Sequence, residues 1–366
     1  MNKRSDHRIG VPSAVLVFLN LSLAKFLLIV PSFIVQEVGN SAWIVILLNG
    51  ALSIGVFALI AVLYKPYVAL GLGGMNMCSV GKFLGGAVNL VLVGIIITRG
   101  ALLFRILVDA LRTLEASDSS QEFMALFILV PVLVCVMKGF NVNVGISAII
   151  IPFTIISVAI ISAILMPHFR YDNLMPVLGE GPDKILFTLV KFGGFSELAF
   201  ALTFSRYLSG YKTMRRSGFI GIGAITLITA VFTLMYCAAI PYPASKGFVF
   251  PLYQLSRLFM AGSFMQHLEP LVVFIWAGIV LCALATVVLA AGELLATSAG
   301  VKDGSGFAPL LVMSIFLGGM IPRSELSTYD AYRMVLKFSN YAYIVIIFIV
   351  VLIARGRKIE NKIETV

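Results

Sequence analysis

Ten runs of about twenty apolar residues recur along this chain of 366 residues, and that length constrains the fold more than any other feature. A bilayer interior offers no water to the backbone, so a segment that crosses it must close its own N–H and C=O groups as a helix. The runs lie near 12–37, 42–63, 83–110, 123–139, 144–167, 185–205, 217–240, 269–294, 306–322 and 334–354. The composition agrees: 60% of residues are hydrophobic and 12% charged, against roughly a quarter charged in ordinary soluble chains. The expected fold is an all-α integral membrane protein of ten transmembrane helices, one permease-like domain over 1–366, with short tails at 1–10 and 355–366.

The net charge of +10 is not a nucleic-acid footprint, because the basic residues are scattered among short loops and form no basic domain. They report orientation instead. With the N-terminus inside, the inner loops and tails hold fifteen Lys and Arg and the outer loops eight, so the positive-inside rule places both termini in the cytoplasm. Residues 1–30 mimic a signal peptide, but the apolar run is too long and lacks a small-residue cleavage site, so it reads as a retained first helix. Cys78, Cys135, Cys237 and Cys282 are far apart, and His7, His168 and His267 fall outside the apolar runs. No metal or cofactor is expected. Nothing forms a nucleophile and base set, so no enzymatic activity is expected either.

A proline-bearing loop around His168 to Lys184 splits the chain into five spans and five spans. An odd number per half makes the second half enter the membrane from the opposite face, which predicts an inverted repeat of 11–167 and 185–354 with helices 1 and 6 discontinuous. In that frame two charged stretches stand at matching places. Leu19-Asn20-Leu21-Ser22-Leu23-Ala24-Lys25 lies in the first span and Lys191-Phe192-Gly193-Gly194-Phe195-Ser196-Glu197 in the sixth.

An ionised side chain deep in a bilayer costs several kcal/mol on the order of 2.5–3.5 even by insertion scales, so it faces a cavity, a partner or a pathway. Lys25 either snorkels to a membrane face or meets an interior partner, of which Glu197 is the obvious one. The pair reads as a gate, a proton site or a substitute for a bound cation. A desolvated lysine releases its proton more readily, which suits proton coupling better than sodium, and Thr286 is a lone hydroxyl in span 8. Gly193-Gly194 either packs closely against a neighbouring helix or lets the backbone unwind to bind a ligand. In span 3, Arg105, Asp109 and Arg112 share a face and read as a structural ladder, while Arg99 lies deeper and either binds a carboxylate as a bidentate fork or pairs with Glu197 across the bundle. The expected substrate-binding set is Ser22, Lys25, Arg99, Phe192, Gly194, Ser196 and Glu197. Lys25, Glu197 and Glu293 are the gate or coupling candidates, Glu293 having a structural capping role as its alternative. Gly71-Leu72-Gly73-Gly74 reads as a flexible inner loop, and Phe250 to Met260 as a short amphipathic outer helix.

Several of these motifs, taken in order, resemble the spore germination permease family, the GerAB-type B subunits of germinant receptors, within the amino acid–polyamine–organocation transporter superfamily. The carriers are Val30-Pro31 leading to Gly39-Asn40-Ser41-Ala42-Trp43-Ile44, then Asp172-Asn173-Leu174-Met175-Pro176-Val177-Leu178-Gly179, then Phe192 to Leu198. Phe250-Pro251, Arg257-Leu258, Gly262-Ser263-Phe264 and Leu268-Glu269 into Trp276 complete the set. Lys25 departs from the small residues usual in the superfamily's unwound turn, and His267 with Glu269 replaces an expected Arg and Asp pair. The resemblance implies a small germinant such as an amino acid bound between spans 1, 3, 6 and 8. It also implies A-type and C-type partner subunits in the inner membrane of a bacterial spore, with a proton-coupled amino acid transporter as the alternative function.

Overall fold

Pro31 decides the shape of the first span. It has no N–H to offer the Leu27 carbonyl and its ring crowds that turn. In the computed structural model, which describes residues 8–114, 120–192, 202–258 and 269–357, α1 (Val11–Leu28) stops there. Ile29 takes φ −143° and ψ −28°, and α2 (Val30–Val38) restarts with Pro31 in its first turn. The Ile29 N–H still reaches the Lys25 carbonyl at 3.0 Å, so the break falls one turn beyond Lys25.

The other described helices are α3 (Ala42–Tyr64), α4 (Gly71–Val80), α5 (Lys82–Leu114), α6 (Gln121–Lys138), α7 (Phe140–Leu165), α8 (Pro182–Phe192), α9 (Tyr211–Ala239), α10 (Pro251–Leu258), α11 (Glu269–Ala299), α12 (Ala308–Met320) and α13 (Glu325–Gly356). Among the described residues the only strand-like pairing is one bridge between Ile9 and Leu208. Among the described residues, eight segments are long and apolar enough to cross a membrane, and the shorter α8 and α12 occupy the sixth and ninth places.

The packing repeats with the expected inversion. α1 lies on α9 and, correspondingly, α8 on α3; α5 lies on α12 and α11 on α6; α5 lies on α13 and α11 on α7; α1 lies on α7 and α8 on α13. The short helix α4 stands between spans 2 and 3 as α10 does between spans 7 and 8. Bilayer helices associate by close van der Waals approach, and the α3–α9 seam shows it. A Cβ on Gly218 would fall 2.0 Å from the Phe57 ring, and one on Gly50 would fall 2.2 Å from Thr226.

Two expectations change. Gly71-Leu72-Gly73-Gly74 is not a loop: it opens α4, where Gly71 has φ +68° and Gly73 packs against Thr297. The tenth span starts at Glu325, ahead of the expected 334, because Ser324 and Ser327 form a capping box that extends the helix through a polar turn no hydropathy window includes. The expected outer helix is found as α10.

In the α5 ladder, Arg105 Nε bonds to both Asp109 oxygens at 2.8 and 2.9 Å, and Arg105 Nη1 donates to the Gly319 carbonyl of α12 at 3.3 Å. Arg112 Nε makes no hydrogen bond among the described residues. Breaking a buried pair leaves an uncompensated charge and costs about 3–5 kcal/mol, whereas replacing both partners with apolar residues is often neutral. Asp109→Asn should therefore lower the thermal midpoint of the purified protein sharply, and Arg105→Met with Asp109→Met should recover most of the loss.

The loop between the halves is fastened by Asn173 Nδ2 and Arg170 N–H to the Ala238 carbonyl at 2.9 and 3.1 Å, and by Asn40 to the Met175 carbonyl at 3.0 Å. At its end Glu180 accepts from Lys184, Lys246 and Tyr242. These donors, Lys184 first, hold the Glu180 carboxyl at about 2, below its ordinary 4.5. A carboxylate with a depressed native pKa stabilises the fold above its unfolded value and loses that contribution as pH falls towards the native one. The thermal midpoint should drop between pH 4.5 and 2, and Glu180→Gln should flatten that part of the profile.

Candidate functional site

Lys25 and Arg99 meet at one cavity. Lys25 is on the last turn of α1 and Arg99 is midway along α5; they are 5% and 6% exposed. The cavity spans about 350 Å³, its open mouth included, and is walled by Leu21, Gly100, Leu103, Ala283, Val287 and Tyr332 besides the two cations. Its walls come from spans 1, 3, 8 and 10. Helical spacing explains the Leu21 and Lys25 pairing, four residues apart on one face.

A second cavity of about 390 Å³, mouth included, lies beyond Lys25 and beside the helix break. Lys25, Asn49, Phe192 and Asn340 line it with the apolar Phe26, Val30, Ile34, Ile46 and Leu336. Lys25 thus belongs to both walls. Asn340 joins the two spaces: its amide accepts from Arg99 Nη1 at 3.4 Å and donates to the Phe192 carbonyl at 2.9 Å. The expected residues Lys25, Arg99 and Phe192 are brought together. Ser22 is buried on the same helix but lines neither cavity. Gly194, Ser196 and Glu197 lie outside the described residues, as does the expected Lys25–Glu197 contact.

On the side of the helix break, α2 is tied to its neighbours. Glu37 pairs with Lys191 of α8 at 2.5 Å, Gln36 accepts from Arg333 of α13 at 2.6 Å, and Ser32 donates to the Phe248 carbonyl at 2.6 Å. The Arg333 guanidinium also sits 4.6 Å above the Phe33 ring. On the opposite side, where α1 begins, Glu293 pairs with Arg206 at 2.8 Å and accepts from the Tyr207 hydroxyl at 2.8 Å. Phe140 stacks on Phe204 at 4.5 Å and lies 5.3 Å from Tyr207. Glu293 is therefore an inter-element tie and not a helix cap, and it stands about 9 Å along α11 from Val287 at 1.5 Å per residue. Each end of the bundle thus carries an ion pair between elements.

A polar knot joins α1, α7 and α11 one turn before Lys25. Asn20 Nδ2 donates to Ser147 at 2.8 Å and to Thr286 at 3.3 Å, and Asn143 Nδ2 donates to Thr286 at 2.7 Å. Thr286, the lone hydroxyl of span 8, receives two amide donors and gives its own proton to the Cys282 carbonyl at 2.9 Å. Asn20, Asn143, Tyr332, Asn340, Glu37 and Arg333 went unassigned in the sequence. The signal for the asparagines is polarity inside an apolar run; none exists for register across helices.

A first helix broken one turn beyond a buried lysine and a five-plus-five inverted repeat mark the class of secondary transporter folds. The fold is similar to that of a Na+-coupled sialic acid symporter in its substrate-bound, outward-open state, at 12% identity and a TM-score of 0.67 over 95% of this chain and 80% of that one. It is also similar to a manganese transporter from Eremococcus coleocola, at 10% identity and a TM-score of 0.59 over 94% and 85%. Within that class the chain belongs to the spore germination protein family, whose model matches residues 9–321. Curated relatives are spore germination protein YndE of Bacillus subtilis strain 168, 22% identical over 97% of this chain and 98% of that protein, and spore germination protein B2 of the same strain, 22% identical over 75% of each.

Two outcomes test this geometry. With Ile34→Cys as reporter, Glu37→Gln should raise labelling by a membrane-impermeant thiol reagent severalfold, and the charge exchange Glu37→Lys with Lys191→Glu should restore protection. Thr286→Val removes the acceptor of the buried Asn143 amide and one of the two acceptors of Asn20, and should cost about 1–3 kcal/mol of stability, read as a lower thermal midpoint, while Ser22→Ala should leave it nearly unchanged.

Proposed function

We propose that this chain is the membrane subunit of a germinant receptor and that a small ligand carrying a carboxylate, an amino acid being the simplest, binds in the cavity between Lys25 and Arg99. One observation carries the reading: two cationic side chains, Lys25 and Arg99, line one cavity at the centre of the bundle. A guanidinium offers a planar fork matched to a carboxylate, and a desolvated site strengthens that bond relative to water. Glu197, with Gly194 and Ser196, is proposed to complete the site from span 6 and to receive the ligand's ammonium group or Lys25. The apolar pocket lined by Phe26, Val30, Ile34 and Phe192 adjoins it and suits an aliphatic side chain.

A receptor responds only if the ligand prefers one state of the protein. The ties at Glu37–Lys191 and Arg206–Glu293 are the contacts a ligand-driven change would trade, with Lys25, Glu197 and Glu293 as coupling residues. The proposal extends to a non-enzymatic role, cytoplasmic termini, A-type and C-type partner subunits, and residence in the spore inner membrane. The second reading, a proton-coupled amino acid transporter, is favoured by the transporter fold and by a buried lysine that lines two cavities. Sodium coupling is disfavoured at the polar knot, because Thr286 already accepts two amide donors.

Arg99→Ala should reduce the amino acid sensitivity of germination at least about tenfold, the loss of roughly one charge-assisted bond, and Arg99→Lys should restore only part. Uptake of labelled amino acids by proteoliposomes of the isolated chain separates the readings: no concentrative uptake is expected of a receptor, and robust uptake establishes the transporter.

A further inference from the structure

On the side of the bundle where α1 begins, the ends of three helices form a basic rim. Lys65 follows the last turn of α3, Arg355 and Arg357 end α13, and Lys212, Arg215 and Arg216 lie in the first turns of α9; except for the half-covered neighbours between them, these side chains are exposed. The rim is continuous. Arg355 Nη2 is 3.5 Å from the Val62 carbonyl at the end of α3, Lys65 Nζ is 5.8 Å from the Tyr211 ring at the start of α9, and Arg215 is 5.9 Å from the Phe219 ring, which in turn packs on Phe57 of α3 at 5.3 Å.

Below the rim, α3 and α13 touch at few points along their lengths. Their outward faces carry Leu59 and Val62 on one helix and Ile349 and Leu352 on the other, each about half exposed, at 51%, 57%, 51% and 49%. Val62 and Leu352 each stand one turn from a rim cation, Lys65 and Arg355. Fixed cations over an apolar furrow match a molecule with an anionic head and hydrocarbon tails, and clustered Lys and Arg beside membrane helices bind anionic lipid heads.

We propose that the α3–α13 furrow and its basic rim form a binding site for an anionic phospholipid. The phosphate lies between Lys65 and Arg355, Arg357 and the α9 cations add attraction at longer range, and an acyl chain lies along Leu59, Val62, Ile349 and Leu352. Dispersion along the furrow separates this occupant from a soluble anion, which would use the rim alone.

Native mass spectrometry of the full chain released from mixed micelles of phosphatidylglycerol, cardiolipin and phosphatidylcholine tests the site. Adducts of the two anionic lipids should exceed those of phosphatidylcholine, and Lys65→Gln with Arg355→Gln should lower them about thirtyfold, as expected for two interfacial cations. Lys184→Gln, on the opposite side, should leave them unchanged. Val62→Trp, which fills the furrow and keeps every charge, should lower them as well, so the test survives if the double variant fails to fold. Equal retention of phosphatidylcholine, adducts unchanged in both the charge and the furrow variants, or displacement by millimolar inorganic phosphate would overturn the proposal.

Discussion

Every polar group of the backbone must find a partner inside the protein, because hydrocarbon supplies none. That requirement makes a membrane helix costly to break and makes the position of a break informative. Here Pro31 forces the interruption at Ile29, and the chain tolerates it only because α1 and α2 are enclosed, with Leu23 to Ile29 almost wholly buried. The same enclosure makes room for Lys25. A cation one turn from a helix break, between two cavities, is a consequence of where the proline sits.

The remaining buried charges sort by what they hold. Arg105 and Asp109 lock α5 to α12 and touch neither cavity. Glu37–Lys191 and Arg206–Glu293 join elements at opposite ends of the bundle; the first pair is 23% and 22% exposed, and in the second Arg206 is 31% exposed and Glu293 8%. Partly exposed ion pairs such as Glu37–Lys191 contribute little net stability, which suits them to the change of state proposed above. The polar knot of Asn20, Asn143, Ser147 and Thr286 behaves differently: fully buried and linked in a network, it fixes the register of α1 against α7 and α11.

Much of this was legible in the chain. Apolar run length placed the spans, and the odd number per half predicted the inversion that the packing pairs now display. Lys25 and Arg99 stood out as charges within apolar runs, and both reach one cavity. Their partners were not legible. Asn340 and Tyr332 lie more than 230 residues away from Arg99 in sequence, and only the packing of α5 on α13 brings them near. The helical reading of Gly71-Leu72-Gly73-Gly74 was hidden because glycine propensity opposes it, whereas packing against Thr297 favours small residues there. The start of α13 was hidden because capping chemistry set it and hydropathy did not.

The central claim is that the Lys25–Arg99 cavity is a ligand site. A ligand that binds only the folded state stabilises it by about 2.7 kcal/mol at a hundred times its dissociation constant. The most direct measurement is the thermal midpoint of the purified chain across a panel of amino acids and nucleosides, with Arg99→Ala in parallel. The account predicts that at least one carboxylate-bearing compound raises the midpoint of the parent and leaves the variant unmoved. Stabilisation by the same compound to the same extent in both proteins would contradict it.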